Sequence, residues 1–155
     1  MNTEQRLREL GIVLPTPAAP VAAYIPSRKA GSLLFISGQI PVREGQVMAK
    51  GAVGREVSLE TARECARQCA LNGLAAARAA LGGEGGLDKV RQVVRVGAFV
   101  ACEAGFGDQP KVANAASELL VEVLGEKGKH ARVAVGTNAL PLNVPVEVEF
   151  CFEVE

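Results

Sequence analysis

The stretch that decides the fold runs from His130 to Glu149 and reads H-A-R-V-A-V-G-T-N-A-L-P-L-N-V-P-V-E-V-E. It predicts two β-strands joined by a turn. Because side chains alternate between the two faces of a strand, Arg132 shares a face with Ala134 and Gly136. A guanidinium among small neighbours leaves room for a ligand, and its planar fork matches a carboxylate or a phosphate. Arg132 is therefore the candidate anion-binding residue, and the alternative is an edge-strand arginine exposed to solvent.

The second strand of this stretch has one apolar and one polar face, the pattern of an antiparallel strand with one buried side. The apolar face carries Val146, Val148, Phe150, Phe152 and Val154, and the other face carries Glu147, Glu149, Cys151 and Glu153. Glu147 thus points away from the core behind its strand. Another subunit could cover this face and would then have to supply Glu147 with a charged or hydrogen-bonding partner. The alternative is a solvated acidic face.

Composition limits the classes of protein that fit. A chain of 155 residues, with 48% apolar and 22% charged residues, is typical of one globular domain. Lys+Arg 17 balances Asp+Glu 17, so there is no net positive charge to attract phosphates, and a nucleic-acid partner is not expected. The charged start M-N-T-E-Q-R-L-R-E-L has no signal-peptide core, and no apolar run is long enough to span a membrane. These features predict a cytoplasmic protein without a membrane partner.

The cysteines and the single histidine argue against a metal site. Cys65 and Cys69 lie four apart on a predicted helix, and Cys102 and Cys151 fall in predicted strands. This spacing contains no zinc-type pair and is not that of a secreted disulfide framework. With His130 as the one histidine, a metal would lack ligands. Reduced thiols packed as small hydrophobic groups are expected, and no metal or other cofactor.

The N-terminal part predicts an extension and then two strands. A short helix over 3–10 and a proline-rich segment form an extension over residues 1–19, followed by a single domain over 20–155. A strand over 21–27 carries Tyr24, and a strongly apolar strand begins at Leu33 and ends in Ser37-Gly38-Gln39-Ile40-Pro41. The small residues at that strand end would let a ligand or a partner chain approach the backbone, although a plain turn explains Gly38 equally well.

Two helices and a further strand complete the pattern. Ser58 caps a helix whose inward stripe is almost entirely small, and a second helix spans Gln109 to Leu124. The stripe comprises Leu59, Ala62, Ala66, Cys69, Gly73, Ala76 or Ala77, and Ala80. Asn114 within the second helix is a poor helix former and is a candidate for a specific hydrogen bond, though a surface position is the alternative. Between the helices, a strand from Val90 to Cys102 places Val94, Val96, Ala98, Val100 and Cys102 on one face.

The order of elements predicts an α+β domain with two helices on one face of a mixed sheet. The other face is expected to be open and to carry Arg95, Phe99, Arg132 and Glu147. An open face holding an aromatic ring and charges favours oligomerisation around a symmetry axis.

These motifs resemble the RidA/YjgF family, also known as endoribonuclease L-PSP. The resemblance runs from about Pro20 to Glu153 and is carried by L-L-F-I-S-G-Q-I-P at 33–41, K-V-A-N-A-A-S at 111–117 and A-R-V-A-V-G-T-N-A-L-P-L-N-V-P-V-E-V-E at 131–149. It implies a chorismate-mutase-like fold and a homotrimer with clefts between subunits. The N-terminal extension is similar to that of the longer branch of the family.

The resemblance also implies an activity, the hydrolysis of small 2-imino or enamine acids to 2-oxo acids and ammonia without a cofactor. Arg132 would bind the substrate carboxylate, and Glu147 would position the attacking water or relay a proton. Tyr24 would line the cleft, while Ser37 and Asn114 would shape the site. Positioning and electrostatics would supply most of the catalysis, because an imine is already electrophilic.

Three positions depart from the family pattern. Ala134 stands where the imine-hydrolysing branch tends to have cysteine, Gly136 where it has glutamate, and Ala139 where it has a second arginine. Carboxylate binding is therefore better supported than turnover. Three hypotheses follow: an imine or enamine deaminase, a module that binds small carboxylates without chemistry, and the endoribonuclease of the family naming, which the zero net charge disfavours.

Overall fold

The structure, a computed structural model, describes residues 1–19 and 22–155. Within these residues it has three α-helices and seven β-strands. The helices are α1 (Thr3–Glu9), α2 (Leu59–Ala80) and α3 (Gln109–Leu124), and the strands are β1 (Ser27–Ala30), β2 (Leu33–Gln39), β3 (Val42–Arg43), β4 (Gln46–Val47), β5 (Val90–Ala101), β6 (Ala131–Thr137) and β7 (Val146–Val154). Pro20 and Val21, at the predicted domain boundary and the start of a predicted strand, lie outside the described residues.

Five strands form one mixed sheet in the order β1-β2-β7-β5-β6. Strands β5 and β6 are parallel, and the other neighbours are antiparallel. Helix α3 connects the two parallel strands, since such a pair needs a long crossover connection. Strands β3 and β4 form a separate hairpin before α2. The predicted α+β class with a mixed sheet is confirmed.

Helices α2 and α3 cover one side of the sheet, and the core lies between the two layers. Val96 of β5 and Phe150 of β7 are buried there. A Cβ added at Gly73 of α2 would lie 2.7 Å from Cδ2 of Phe150, so only a residue without a side chain fits at this approach. The predicted small-residue face of α2 is thus the face that meets the sheet. It is wider than predicted, because Leu74 is also buried, and Ala80 is exposed rather than buried.

Two predicted strand details are wrong. The strand expected over 21–27 begins at Ser27, so Tyr24 lies in the irregular segment before it. In β5 the pairing with β7 shifts between Val93 and Arg95. A β-bulge of this kind changes the alternation of side chains, so Val93 is buried and Val94 is only half-buried.

Helix α1 packs against the domain instead of standing apart from it. Leu7 is buried in the core, and Nε of Arg6 donates a hydrogen bond of 2.9 Å to the carbonyl oxygen of Glu122 in α3. The side chain of Asn2 caps the helix by accepting a hydrogen bond of 2.8 Å from the backbone N–H of Gln5.

Candidate functional site

The pairing of three strands decides on which side of the sheet Arg132 lies. Arg132 of β6 is paired with Val96 of β5, and Val96 is paired with Phe150 of β7. Residues paired side by side point to the same face, and Val96 and Phe150 are buried beneath the helices. Arg132 therefore lies on the helix-covered side, at the sheet edge. The prediction that it shares the open face with Glu147 is wrong.

The guanidinium of Arg132 is held by helix α3. Its Nη1 donates hydrogen bonds of 2.8 Å to Oδ1 of Asn114 and 3.1 Å to Oγ of Ser117. Both acceptors are neutral, and no carboxylate in residues 1–19 or 22–155 lies within ion-pair distance of Arg132. The half-buried guanidinium is thus held through its own Nη1 alone. Its Nη2 and Nε have no hydrogen-bond acceptor among the described residues.

Ser117 and His130 belong to this cluster, and the sequence reasoning missed their role. Nε2 of His130 lies 2.8 Å from Oγ of Ser117, and its Nδ1 lies 2.6 Å from the carbonyl oxygen of Gly128. Burial is the main cause that lowers the pKa of His130, and the nearby Arg132 adds to it. Spacing could have found both residues: Ser117 is one turn after Asn114 on α3, and His130 lies two residues before Arg132, immediately before β6.

The space beside Gly136 is filled by Cys102, which directly follows β5, and by Gln109 at the start of α3. A Cβ added at Gly136 would lie 2.8 Å from Sγ of Cys102 and 2.9 Å from Nε2 of Gln109. Ala134 packs against the hydrophobic core. These contacts confirm that Arg132, Ala134 and Gly136 point to one side of β6, which is the covered side.

Glu147 lies on the other side of the sheet. Its neighbours Val146 and Val148 are buried beneath the helices, so the glutamate points to the open face. Its carboxylate lies over Gly38 of β2, where an added Cβ would lie 3.0 Å from Cδ of Glu147. Partial burial, and then the negative charge of Glu149, raise the pKa of Glu147. This carboxyl group is therefore a better proton acceptor than an ordinary surface glutamate.

Ser37 also lies on the open face, next to the irregular segment that carries Tyr24. The backbone N–H of Ser37 donates a hydrogen bond of 2.9 Å to Pro26, and its hydroxyl donates one of 2.7 Å to the carbonyl oxygen of Ile25. Ser37 thereby fixes the segment that carries Tyr24, whose side chain is 56% exposed. The serine hydroxyl is committed to the backbone, so its role within one chain is to shape this edge.

A cavity of about 440 Å³ lies on the open face between β1, β2, β5 and β7. Ser37, Phe35, Arg95 and Glu149 are among the residues that line it. Arg95 and Glu149 form a partly exposed ion pair of 3.7 Å. Apolar side chains are exposed beside these charges on the same sheet, including Phe35 at 47% and Val135 at 45%. An apolar surface of this kind is typical of a contact with another chain.

Comparison with known proteins identifies the family. Residues 4–154 match the family described as YjgF/chorismate mutase-like, a candidate endoribonuclease family. The chain belongs to this family. It is 39% identical over 149 residues to protein TCP17 of Trypanosoma cruzi, covering 96% of this chain and 91% of that protein.

Two solved structures of similar proteins share the fold of this YjgF-family chain. Protein Atu1372 of Agrobacterium tumefaciens, described as having unknown function, is 43% identical, with a TM-score of 0.91 over 99% of this chain and 92% of the other. A candidate endoribonuclease of Shewanella oneidensis MR-1 is 30% identical, with a TM-score of 0.93 over 99% of this chain and 100% of the other. The resemblance stated from the motifs is confirmed.

The YjgF-family fold therefore presents two separate groups of candidate residues in one chain. Arg132 and Asn114 lie together on the covered side of the sheet edge, while Glu147 and Ser37 belong to the open face. A side chain of one group does not reach the other through the sheet. Within one chain, the two groups therefore do not form a single site.

Other kinds of site find little support in the described residues. No group of three or more histidine, cysteine, aspartate or glutamate side chains in 1–19 and 22–155 could hold a metal ion. The four cysteines there are unbonded, and burial raises the pKa of Cys65 to about 11 and holds the pKa of Cys69 well above its usual range. Both helical thiols are therefore protonated and unreactive. In the same residues, every helix is too short or too polar to cross a bilayer.

Proposed function

We propose that the protein hydrolyses small 2-imino or enamine acids to 2-oxo acids and ammonia, in clefts between the subunits of a homotrimer. The observation that carries the proposal is the state of Arg132. Nη1 of this guanidinium is held by Asn114 and Ser117, and no carboxylate of the described residues neutralises it. A fixed, half-buried, unpaired cation is an anion site, and a small organic acid supplies the matching carboxylate.

Glu147 is the partner for the chemistry. Its raised pKa, caused mainly by partial burial, suits a group that accepts a proton from water. The water oxygen bonds to the imine carbon while one water proton passes by way of Glu147 to the nitrogen, which gives a carbinolamine. The proton of the new hydroxyl group then passes by the same route to the nitrogen, the carbon–nitrogen bond breaks, and ammonia leaves as the carbonyl forms. The product is a 2-oxo acid, and atoms balance without a cofactor.

The placement of the two groups supports clefts shared between subunits of the proposed homotrimer. Arg132 lies at the β6 edge on the covered side, and Glu147 lies on the open face. A shared cleft would therefore take Arg132 from one copy and Glu147 from another. The exposed Phe35 and Val135 on the open face support such a contact between copies.

A coupled assay tests the activity. Threonine dehydratase supplies 2-iminobutyrate, and the loss of imine is followed with and without the purified protein. We expect wild-type protein to accelerate the loss and Arg132→Ala to return it to the rate in buffer. Equal rates for buffer, wild type and Arg132→Ala would remove the deaminase hypothesis.

A mixing experiment tests the shared cleft. Arg132→Ala and Glu147→Gln are each expected to be inactive alone. When the two variants are unfolded and refolded together, mixed trimers contain clefts with an intact Arg132 from one copy and an intact Glu147 from the other. Recovered activity in the mixture is expected, and its absence would contradict a cleft built from two copies.

A carboxylate-binding module without catalysis is the second candidate. It is favoured by Ala134 and Gly136, which bring no reactive group to the arginine, and by the packing of Cys102 and Gln109 into the space beside Gly136. Calorimetry with 2-oxobutyrate separates the two: saturable binding that depends on Arg132, without turnover of the imine, would favour this candidate.

The endoribonuclease named for the family is the third candidate and has less support here. Equal numbers of basic and acidic residues, 17 of each, give no net charge to attract RNA. Because the chain has one histidine, it also cannot form an acid–base pair of histidines. RNA cleavage that is lost in Arg132→Ala would support this candidate, whereas cleavage that persists in the variant would indicate a contaminating nuclease.

A further inference from the structure

We propose that Ser117 and His130 are positioning residues for the anion site: the neutral imidazole of His130 orients the Ser117 hydroxyl, which with Asn114 aims the guanidinium of Arg132. This inference rests on the proposed function only in taking a small carboxylate as the anion. The hydrogen bonds themselves are independent of any substrate.

The partners of His130 assign its proton. The carbonyl oxygen of Gly128, 2.6 Å from Nδ1, can only accept a hydrogen bond, so Nδ1 carries the hydrogen. Nε2 of the neutral ring is then an acceptor, and the Ser117 hydroxyl at 2.8 Å donates to it. Burial has the largest effect on the pKa of His130 and lowers it, the hydrogen bond to Gly128 partly offsets this, and the positive charge of Arg132 lowers the pKa again; the net lowering favours the neutral ring.

The direction of the Ser117 hydroxyl has a consequence for Arg132. Because its hydrogen points to His130, a lone pair of Oγ is left for Nη1 of Arg132 at 3.1 Å. Asn114 takes the second Nη1 hydrogen at 2.8 Å. With both Nη1 hydrogens committed, Nη2 and Nε form the side of the fork that remains for a carboxylate.

The charged side chains near the hydrogen bonds of His130, Ser117 and Arg132 have partners outside this network. Helix α3 presents the uncharged Asn114 and Ser117 to it, and β6 presents Arg132. The neighbouring charges have other partners: Glu118 pairs with Arg63, Glu122 with Arg67 and Glu126 with Lys129, while Lys127 donates to the carbonyl oxygen of Val90 and Arg95 pairs with Glu149.

Binding of 2-oxobutyrate, measured by calorimetry, tests the positioning role. Loss of one hydrogen bond to the guanidinium in Ser117→Ala should raise the Kd about three- to tenfold. Ser117→Thr keeps a hydroxyl and should restore most of the affinity. The matched control is Ser32→Ala, an exposed serine outside the site, which should leave the Kd unchanged.

A double-mutant cycle distinguishes positioning from a general structural role. His130→Phe keeps a ring but has no Nε2 acceptor, so it should also weaken binding. Because both changes act through one hydroxyl, the double variant should bind no more weakly than Ser117→Ala alone. Full additivity, or a Kd that does not change in Ser117→Ala, would overturn the proposal.

NMR of the single histidine provides a test without ligand, because one residue gives the only imidazole signals. The neutral ring should carry its hydrogen on Nδ1, and Arg132→Gln should raise the pKa of His130 by removing the adjacent positive charge. A hydrogen on Nε2, or an unchanged pKa, would overturn the network. Failure of wild-type protein to bind 2-oxobutyrate would count against the proposed function alone, since the NMR result would still decide the network.

Discussion

The charged residues on the two sides of the sheet have different kinds of partner. On the covered side, Arg132 is fixed by neutral groups of α3 and has no carboxylate partner among the described residues. On the open face, Arg95 pairs with Glu149, and Glu147 lies over Gly38 with a raised pKa. One face thus orients a cation without a carboxylate partner among the described residues, and the other holds Glu147, a carboxyl group with a raised pKa. This separation of charge within one chain is what a second copy could bring together.

The largest expected effect is on the free energy of unfolding, and it distinguishes a phenylalanine on the covered side from one on the open face. Phe150→Ala, on the covered side, removes a buried ring packed against Gly73 and should lower the free energy of unfolding by about 3–5 kcal/mol. Phe35→Ala, on the open face at 47% exposure, should cost less than about 1 kcal/mol in the dissociated chain.

Urea unfolding of both variants measures this difference, and light scattering measures their assembly. If the open face contacts another copy, Phe35→Ala should weaken the oligomer while Phe150→Ala destabilises the chain itself. Equal losses of stability in dissociated chains would contradict the distinction between the two faces.

The next effect concerns the shape of the cation. Arg132→Lys keeps the charge but loses the planar fork and the two bonds from Nη1, so 2-oxobutyrate should bind about 10- to 100-fold more weakly. Arg91→Lys, at an exposed position of β5, is the matched control and should bind like wild type. Calorimetry at constant pH and salt decides the point. Unchanged affinity in Arg132→Lys would mean that charge alone, without orientation, holds the anion.

Alanine substitutions at two glycines, Gly38 and the control Gly107, test whether the position of Glu147 on the open face matters. Gly38→Ala forces the carboxyl end of Glu147 to move, because an added Cβ would overlap it. The end of a glutamate side chain moves easily, so stability should fall by less than about 1 kcal/mol. Turnover of 2-iminobutyrate should fall by about tenfold or more, since catalysis depends on the position of this group.

Gly107→Ala is the control for Gly38→Ala, because an added Cβ there meets nothing within 4 Å. Turnover in this variant should match wild type. If Gly38→Ala also retained full activity, the position of Glu147 over β2 would have no part in the reaction.

The smallest effect is a dependence of stability on pH. The pKa of Glu147 is higher in the folded chain than the ordinary value, so ionisation of this group disfavours the folded state. Glu147→Gln should therefore raise stability slightly at neutral pH. The gain should disappear as pH falls below the ordinary glutamate value of about 4.3, where the group is protonated in both states. Urea midpoints at pH 7 and pH 4 measure it, with Glu153→Gln as the open-face control.

Much of the fold could be predicted from local patterns. The helix over Gln109 to Leu124, the strict alternation of β7 and the small face of α2 all follow from spacing along the chain. The strand expected to carry Tyr24 was wrong because short segments near prolines carry weak signals, and pairing with β2 decides where β1 begins.

The candidate site was predicted in part. Period-two alternation placed Arg132, Ala134 and Gly136 on one side of β6. The poor helix propensity of Asn114 made it a candidate for a specific hydrogen bond, with a surface position as the alternative, and the structure shows that its partner is Arg132. Ser117 and His130 were missed, since a serine one turn along a helix and a lone histidine have many ordinary roles.

The residues that share a face of each strand could be read from the sequence alone, because alternation is a property of the extended backbone. It could not say which face of β6 the helices cover, since the valines on one side and the small residues on the other both tolerate burial. Only the tertiary structure decided that: the pairing of Arg132 with Val96, and of Val96 with Phe150, fixed the side to which the arginine points. Register between strands far apart in the chain is set by the packing of the whole core, and one residue of slip would reverse every side chain.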